Sequence, residues 1–203
     1  AQPIACDSGA HIIVARASTE RPGTGVIGII ANRVASQIPG SEIVAVDYPA
    51  TLKEYPESET AGVIEMRRLA VEYASACPGG RIVLMGYSQG AHVSADVVCG
   101  NSEAGFPQSD PLPANVADRI SAILLMGDPS HVASAPFNRG TSIKDGMFPR
   151  LNTTAGCAAV QDKMVSYCDT GDVFCDRGDD QGVHRRYIQV YGAEAVAFVV
   201  DKV

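Results

Sequence analysis

The sequence predicts an α/β fold, a three-layer α/β/α sandwich around a central, mainly parallel, five-stranded sheet. Three observations predict it. Short apolar runs alternate with helix-period segments along the whole chain. The runs are continuously apolar, as in strands covered on both faces. The segment Arg81 to Gly90, R-I-V-L-M-G-Y-S-Q-G, reads as strand, sharp turn and helix. With 203 residues, 46% of them hydrophobic, residues 1–203 suit one domain with a sizeable core.

The elements follow in order. His11 to Ala15 (H-I-I-V-A) is a buried strand, and Gly23-Thr24-Gly25 a turn. Val26 to Ile38 carries Ile27, Ile30, Val34 and Ile38 at helical spacing, and Pro39-Gly40 stops it. Glu42 to Val46 is the second strand. Ser58 to Cys77 is a helix with Ala61, Val63, Ile64, Leu69 and Val71 among polar residues, closed by Pro78-Gly79-Gly80. Ile82 to Met85 is the third strand and Gln89 to Cys99 the helix behind the turn. Ile120 to Met126 and Lys163 to Tyr167 are the fourth and fifth strands, and Gly192 to Lys202 is a closing helix with one apolar face. Val132 to Gly156 is the longest stretch without periodicity; such loops are usually functional or disordered.

Net charge is −7, which gives no basic footprint for nucleic acid. No apolar stretch approaches the length of a membrane span. The N-terminal A-Q-P-I-A-C has neither a basic n-region nor an apolar h-region, so the chain reads as mature or never exported. The six cysteines, Cys6, Cys77, Cys99, Cys157, Cys168 and Cys175, favour export: an even count at this size suggests three disulfides and an oxidising compartment. Asn152-Thr153-Thr154 is an N-glycan acceptor sequon. The rival use of the cysteines, a zinc site from Cys157, Cys168, Cys175 and His184, has no C-x2-C pair and matches no zinc module. No metal, no cofactor and no assembly beyond a monomer are expected.

Gly86-x-Ser88-x-Gly90 is the sequence form of a nucleophile elbow, with Ser88 on a strained turn and its hydroxyl exposed. The bland alternative is a serine that merely caps the following helix. A serine hydroxyl needs a base to accept its proton, and the chain has four histidines. His11 lies in an apolar strand and reads as a packed residue. His92 lies four residues after Ser88 on the following helix and points away from the hydroxyl. The order Ser, acid, His of α/β hydrolases selects His184, with His131 as runner-up. The acid then lies between them. Cys168 to Cys175 reads C-D-T-G-D-V-F-C, and a bridge between its ends would hold Asp172 rigidly; Asp169 and Asp176 compete with it. The bland reading of Asp169 to Asp180 is a solvated loop or weak calcium site, though EF-hand spacing is missing.

Five segments carry a resemblance: A-R-A-S-T (Ala15 to Thr19), G-Y-S-Q-G, M-G-D-P (Met126 to Pro129), C-D-T-G-D-V-F-C and the His184 segment ending Y-G-A-E-A-V-A-F-V. The sequence resembles the cutinase and acetylxylan esterase family of secreted esterases over nearly its whole length. The resemblance implies Ser88 as nucleophile, Asp172 as acid and His184 as base. It implies oxyanion donors at Ser18 and at the Gln89 backbone N–H, the latter also expected of any elbow. It implies disulfides Cys6–Cys77, Cys99–Cys157 and Cys168–Cys175, and a polymeric ester as substrate, either acetylated xylan or cutin. The segment D-R-G-D-D-Q-G-V-H-R-R-Y offers only Val183 and Tyr187 as apolar surface, and charges at a site rim disfavour long alkyl chains. Tyr187 and Tyr191 are candidates to stack on sugar rings. Leu52, Tyr55 and the Val132–Leu151 loop, with Pro136, Phe137, Met147 and Phe148, are candidates to line an acyl groove. The balance favours acetylxylan.

Overall fold

The structure, a computed structural model, describes residues 4–203. Six strands build one sheet: β1 (Ala10–Ala15), β2 (Glu42–Ala45), β3 (Arg81–Tyr87), β4 (Ile120–Met126), β5 (Asn138–Arg139) and β6 (Met164–Tyr167). Their order is β2-β1-β3-β4-β6-β5, and every neighbouring pair is parallel. The sheet thus has six strands where five are expected. The addition is β5, a two-residue edge strand inside the Val132–Gly156 stretch, too short to leave a period of its own.

The helices are α1 (Gly28–Gln37), α2 (Tyr55–Ala76), α3 (Gln89–Cys99), α4 (Ala114–Ala117), α5 (Thr153–Gly156), α6 (Gln181–His184) and α7 (Tyr187–Lys202). Successive residues of a strand point to opposite faces, and the core divides accordingly. Ile13 and Leu84 pack with α2 and α3 on one face. Ile12, Val14, Val83 and Met85 pack with α1 and α7 on the other. Each such fully buried aliphatic side chain contributes about 2–3 kcal/mol relative to exposure.

Two long helices begin earlier than their apolar periodicity. The second starts at Tyr55, not Ser58, because Pro56 fits the first turn of a helix. The last starts at Tyr187, not Gly192; Gly192 sits inside it, against Ile30 of α1.

Disulfides join Cys6 to Cys77, Cys99 to Cys157 and Cys168 to Cys175. They take up all six cysteines, so the Cys157, Cys168, Cys175 and His184 zinc set does not exist. Asn152 is exposed just before α5. Among the described residues, no helix is long and apolar enough to cross a membrane.

Strand β1 is flanked by β2 on one side and β3 on the other, so the chain's direction of travel reverses there. In open parallel sheets, ligands bind outside the carboxyl ends of the strands at this switch point. Ser18 follows β1 and Ser88 follows β3, both at that crevice. The Cys168–Cys175 loop leaves the same end of the sheet after β6.

Candidate active site

Ser88 joins β3 to α3 with φ 55° and ψ −120°, a backbone conformation that L side chains rarely adopt. Its amide donates to Met126 O at 2.8 Å, which ties the turn to β4. Close approach of helix and strand makes the strained turn workable. A Cβ on Gly90 would stand 2.0 Å from Ala15 O, so only glycine lets α3 start against the end of β1. The Ser88 side chain makes no helix-capping bond, which removes the capping alternative.

The Ser88 hydroxyl instead faces His184. Ser88 Oγ lies 2.9 Å from His184 Nε2, and His184 Nδ1 lies 2.8 Å from Asp172 Oδ2. Ser88 and His184 are each 8% exposed and Asp172 is fully buried, so the chain of hydrogen bonds runs from a narrow opening into the protein. With Asp172 ionised, Nδ1–H donates to it and Nε2 is left free to accept the serine proton.

His184 is placed by four features. Asp180 caps α6, its Oδ1 accepting from the amides of Gly182 (2.7 Å) and Val183 (3.3 Å). Tyr87 Oη donates to His184 O at 2.5 Å, and the Phe174 ring meets the imidazole edge-on at 4.6 Å. Gly127, in M-G-D-P, gives the ring room: a Cβ there would lie 2.8 Å from His184 Cε1, and its φ of 63° suits glycine.

Asp172 sits in the loop closed by Cys168–Cys175. Its Oδ1 accepts from the amides of Phe174 (2.7 Å) and Cys175 (3.1 Å). Its Oδ2 accepts from Tyr187 Oη at 2.7 Å as well as from His184. Burial alone would raise its pKa; the bonds from His184, Tyr187 and the Phe174 amide outweigh that and hold it below the usual carboxylate value. Tyr187 is itself pushed up, by burial and by the Asp172 charge, so it stays a donor.

The competing aspartates are bonded elsewhere. Asp169 Oδ1 accepts from Tyr191 Oη at 2.6 Å, and Asp176 accepts from Ser142 Oγ (2.6 Å) and the Gly171 amide (2.8 Å). All three aspartates are buried, so this part of the segment is bonded loop architecture and not a solvated face. His131, the runner-up base, is buried with neither ring nitrogen partnered among the described residues, Ser88 included. His11 bonds Asp7 at 2.8 Å and stacks on Tyr73, while His92 bonds Tyr55.

Ser18 lies in the loop after β1. Glu20 binds the amides of Ala17 (2.7 Å) and Val26 (2.8 Å), Arg16 Nε donates to Glu20 O (3.1 Å), and Thr19 donates to Ala50 O (2.7 Å). Within this brace Ser18 Oγ is buried and has no partner among the described residues. The Gln89 side chain is pinned away from the opening, accepting from Ser58 Oγ (2.9 Å) and donating to Thr51 O (3.0 Å). What Gln89 presents is therefore its backbone N–H, one of the first four in α3 and without an intrahelical acceptor.

Ser18, Ser88 and His184 line a groove of about 380 Å³ with Val26, Leu52, Phe174, Gln181 and Arg185 among its walls. Of the candidate acyl-groove residues, Leu52 is there and 57% exposed, whereas Tyr55 turns inward to His92. Phe148 packs on Tyr55 and Phe106, and Phe137 packs on the core, so the long loop turns these side chains inward. Tyr187 is fully buried and bonded to Asp172, which rules it out as a sugar platform.

Glu20, Tyr87 and Phe174 are supporting residues with no role expected from the sequence, and Tyr187 supports Asp172 in place of the sugar stacking expected of it. Tyr187 carries a readable signal: it lies three residues after His184, at the start of the next helix. Glu20 carries one too, as an acid two residues after Ser18.

The cutinase family model matches residues 5–203. This chain belongs to the cutinase family. Among its cutinase-family relatives, Cutinase 11 of Verticillium dahliae is 33% identical over 95% of this chain and 68% of its own length. An acetylxylan esterase of Hypocrea jecorina is 32% identical over 93% and 65%. The chain thus spans about two thirds of these two relatives. The solved catalytic core domain of the acetyl xylan esterase from Trichoderma reesei superposes with a TM-score of 0.91 at 31% identity, covering 98% of this chain and all of that one. The chain is an esterase of the cutinase family.

Proposed function

We propose that the chain is a secreted, single-domain serine esterase, residues 1–203, that removes acetyl groups from xylan. The unbroken Ser88–His184–Asp172 chain of hydrogen bonds, opening into a groove, carries the reading. His184 Nε2 takes the proton of Ser88 Oγ as Oγ attacks the ester carbonyl carbon. The resulting oxyanion is held by the Gln89 N–H and the Ser18 hydroxyl. The imidazolium returns its proton to the leaving alcohol oxygen, and the acyl group stays on Ser88. Water then attacks the acyl-enzyme, giving its proton to His184; as the carbonyl re-forms, Ser88 Oγ leaves with that proton, releasing the acid. Asp172 stays ionised throughout and steadies the imidazolium.

Acetyl specificity is supported by the polar walls Glu20, Gln181 and Arg185, which would be desolvated beside a long alkyl chain, and by similarity to acetylxylan esterases. The three disulfides suit an oxidising compartment and the exposed Asn152 suits a glycan. A cutinase reading draws on the exposed Leu52 with Val26 and Phe174 in the same groove. A wall-binding protein on the same fold is a third reading. A series of p-nitrophenyl esters run beside acetate release from acetylated xylan separates them. Rates falling several-fold beyond butyrate, with acetate released, are expected. Rates rising toward long chains without acetate release mean a cutinase, and no hydrolysis of any ester means a binding protein.

Ser18→Ala removes the unpartnered hydroxyl from the oxyanion side. The expected result is a loss of about a hundred- to a thousand-fold in kcat on p-nitrophenyl acetate with KM little changed. A loss appearing only in KM would contradict the role.

A further inference from the structure

Behind the elbow, where α2 packs on α3, lies a set of charged side chains that the ester chemistry does not use. Glu59 comes from α2, His92 and Asp96 from α3, Glu103 from the loop after α3, and Arg150 from the segment before α5. Glu59, His92 and Asp96 are fully buried, and Glu103 is 1% exposed. Arg150 Nη1 reaches Asp96 Oδ1 at 2.5 Å and stands 3.1 Å from Glu103 Oε1. With all three carboxylates ionised, that single cation leaves the cluster two positive charges short. Five atoms there have no hydrogen-bond partner among the described residues: both Glu59 oxygens, Asp96 Oδ2, Glu103 Oε1 and His92 Nε2. Unpaired buried groups of this kind are costly, so either protons or a cation must neutralise them.

We propose that Glu59, His92 and Asp96, with Glu103 beside them, form an internal site for a divalent cation of the zinc class. One ligand atom from each of Glu59, His92 and Asp96 falls within 4.8 Å of the others. His92 Nε2 lies 3.5 Å from Asp96 Oδ2 and 3.9 Å from Glu103 Oε1. The first distance is long for a charge-assisted hydrogen bond, which closes to about 2.8 Å. It is close to the edge of a tetrahedron whose metal–ligand bonds are about 2.0 Å, roughly 3.3 Å. His92 and Asp96 are four residues apart and so project from one side of α3. His92 Nδ1 lies 3.2 Å from Tyr55 Oη; in the tautomer with its proton on Nδ1, Tyr55 accepts that proton and Nε2 is the free lone pair. One imidazole with carboxylates is a zinc-type donor set, whereas calcium takes oxygen ligands only. A doubly charged ion balances the cluster. It would also join α2 to α3 one turn beyond Ser88, bracing the helix on which the elbow rests.

Because the site is closed, the metal enters as the chain folds, and the test is made by refolding. The protein is unfolded in guanidinium with EDTA, its disulfides intact, then refolded with zinc or with EDTA and desalted. About one zinc per chain and a higher melting temperature in the zinc-refolded sample are expected. Refolding with cobalt(II) should give the visible absorption of a four-coordinate ion. Glu59→Gln and His92→Leu should each lose the bound zinc and the cobalt band. His11→Asn, which removes the partly exposed Asp7–His11–Glu42 group, should keep both. If either ligand variant fails to fold, the His11→Asn protein and the cobalt spectrum still decide. Equal melting with zinc and EDTA and no retained metal would overturn the proposal and mean that the carboxylates hold protons instead. Zinc lost in His11→Asn but kept in His92→Leu would place it at the surface group and overturn the proposal equally.

Discussion

Asp172→Asn is expected to lower kcat on p-nitrophenyl acetate by about ten-thousand-fold while the variant remains folded by circular dichroism. Asp172 Oδ2 accepts from His184 Nδ1 at 2.8 Å. An amide nitrogen in that place would donate to Nδ1 and drive the ring proton to Nε2, where it faces Ser88 Oγ and cannot receive the serine proton. An Asn carbonyl still accepts from the Phe174 and Cys175 amides, so the loop keeps half of its bonds. The same substitution has a pH signature. The folded pKa of Asp172 is lowered, so its contribution to stability is complete above the unfolded value of about 3.9 and is lost as pH falls through the folded value. Acid unfolding below about pH 4 should therefore be shallower in the Asn variant. A loss of activity under tenfold would mean that Asp172 does not orient the base.

Removing the Cys99–Cys157 disulfide is the second large effect. It spans 58 residues and ties the end of α3 to α5. Loop-closure entropy for that span is roughly 4 kcal/mol at 25 °C. In a domain of this size, Cys99→Ala with Cys157→Ala should lower the melting temperature by about 8–16 °C. The bridge also fixes the segment that delivers Arg150 to Asp96. A calorimetric shift below about 3 °C would mean that burial of the flanking loop, not the cross-link, holds this region.

The sequence was most legible where one residue type has one geometric use. Continuous apolar runs disclosed the five longer strands, and G-x-S-x-G disclosed the turn, because Gly90 must clear Ala15 and Ser88 must accept a positive φ. Cys168 and Cys175 marked the loop that holds Asp172. Strand β5 was illegible because two residues carry no period and its pairing with β6 is set by tertiary contact alone. Tyr187 was misread for a related reason. A tyrosine near a histidine is equally suited to a surface stack or an internal hydrogen bond, and only burial decides between them. The cluster around Glu59 was hidden because its members are far apart in sequence, from α2 to the segment before α5, and each looks like an ordinary helix or loop charge in isolation.

The proposed esterase chemistry requires Ser88 Oγ to take the acyl group. Reaction with a fluorophosphonate, followed by peptide mass spectrometry, reads this directly. The expected result is one phosphonyl group per chain, on the peptide containing Ser88, with esterase activity lost in proportion to labelling. Full inhibition with Ser88 unmodified, or turnover undiminished in Ser88→Ala, would contradict it.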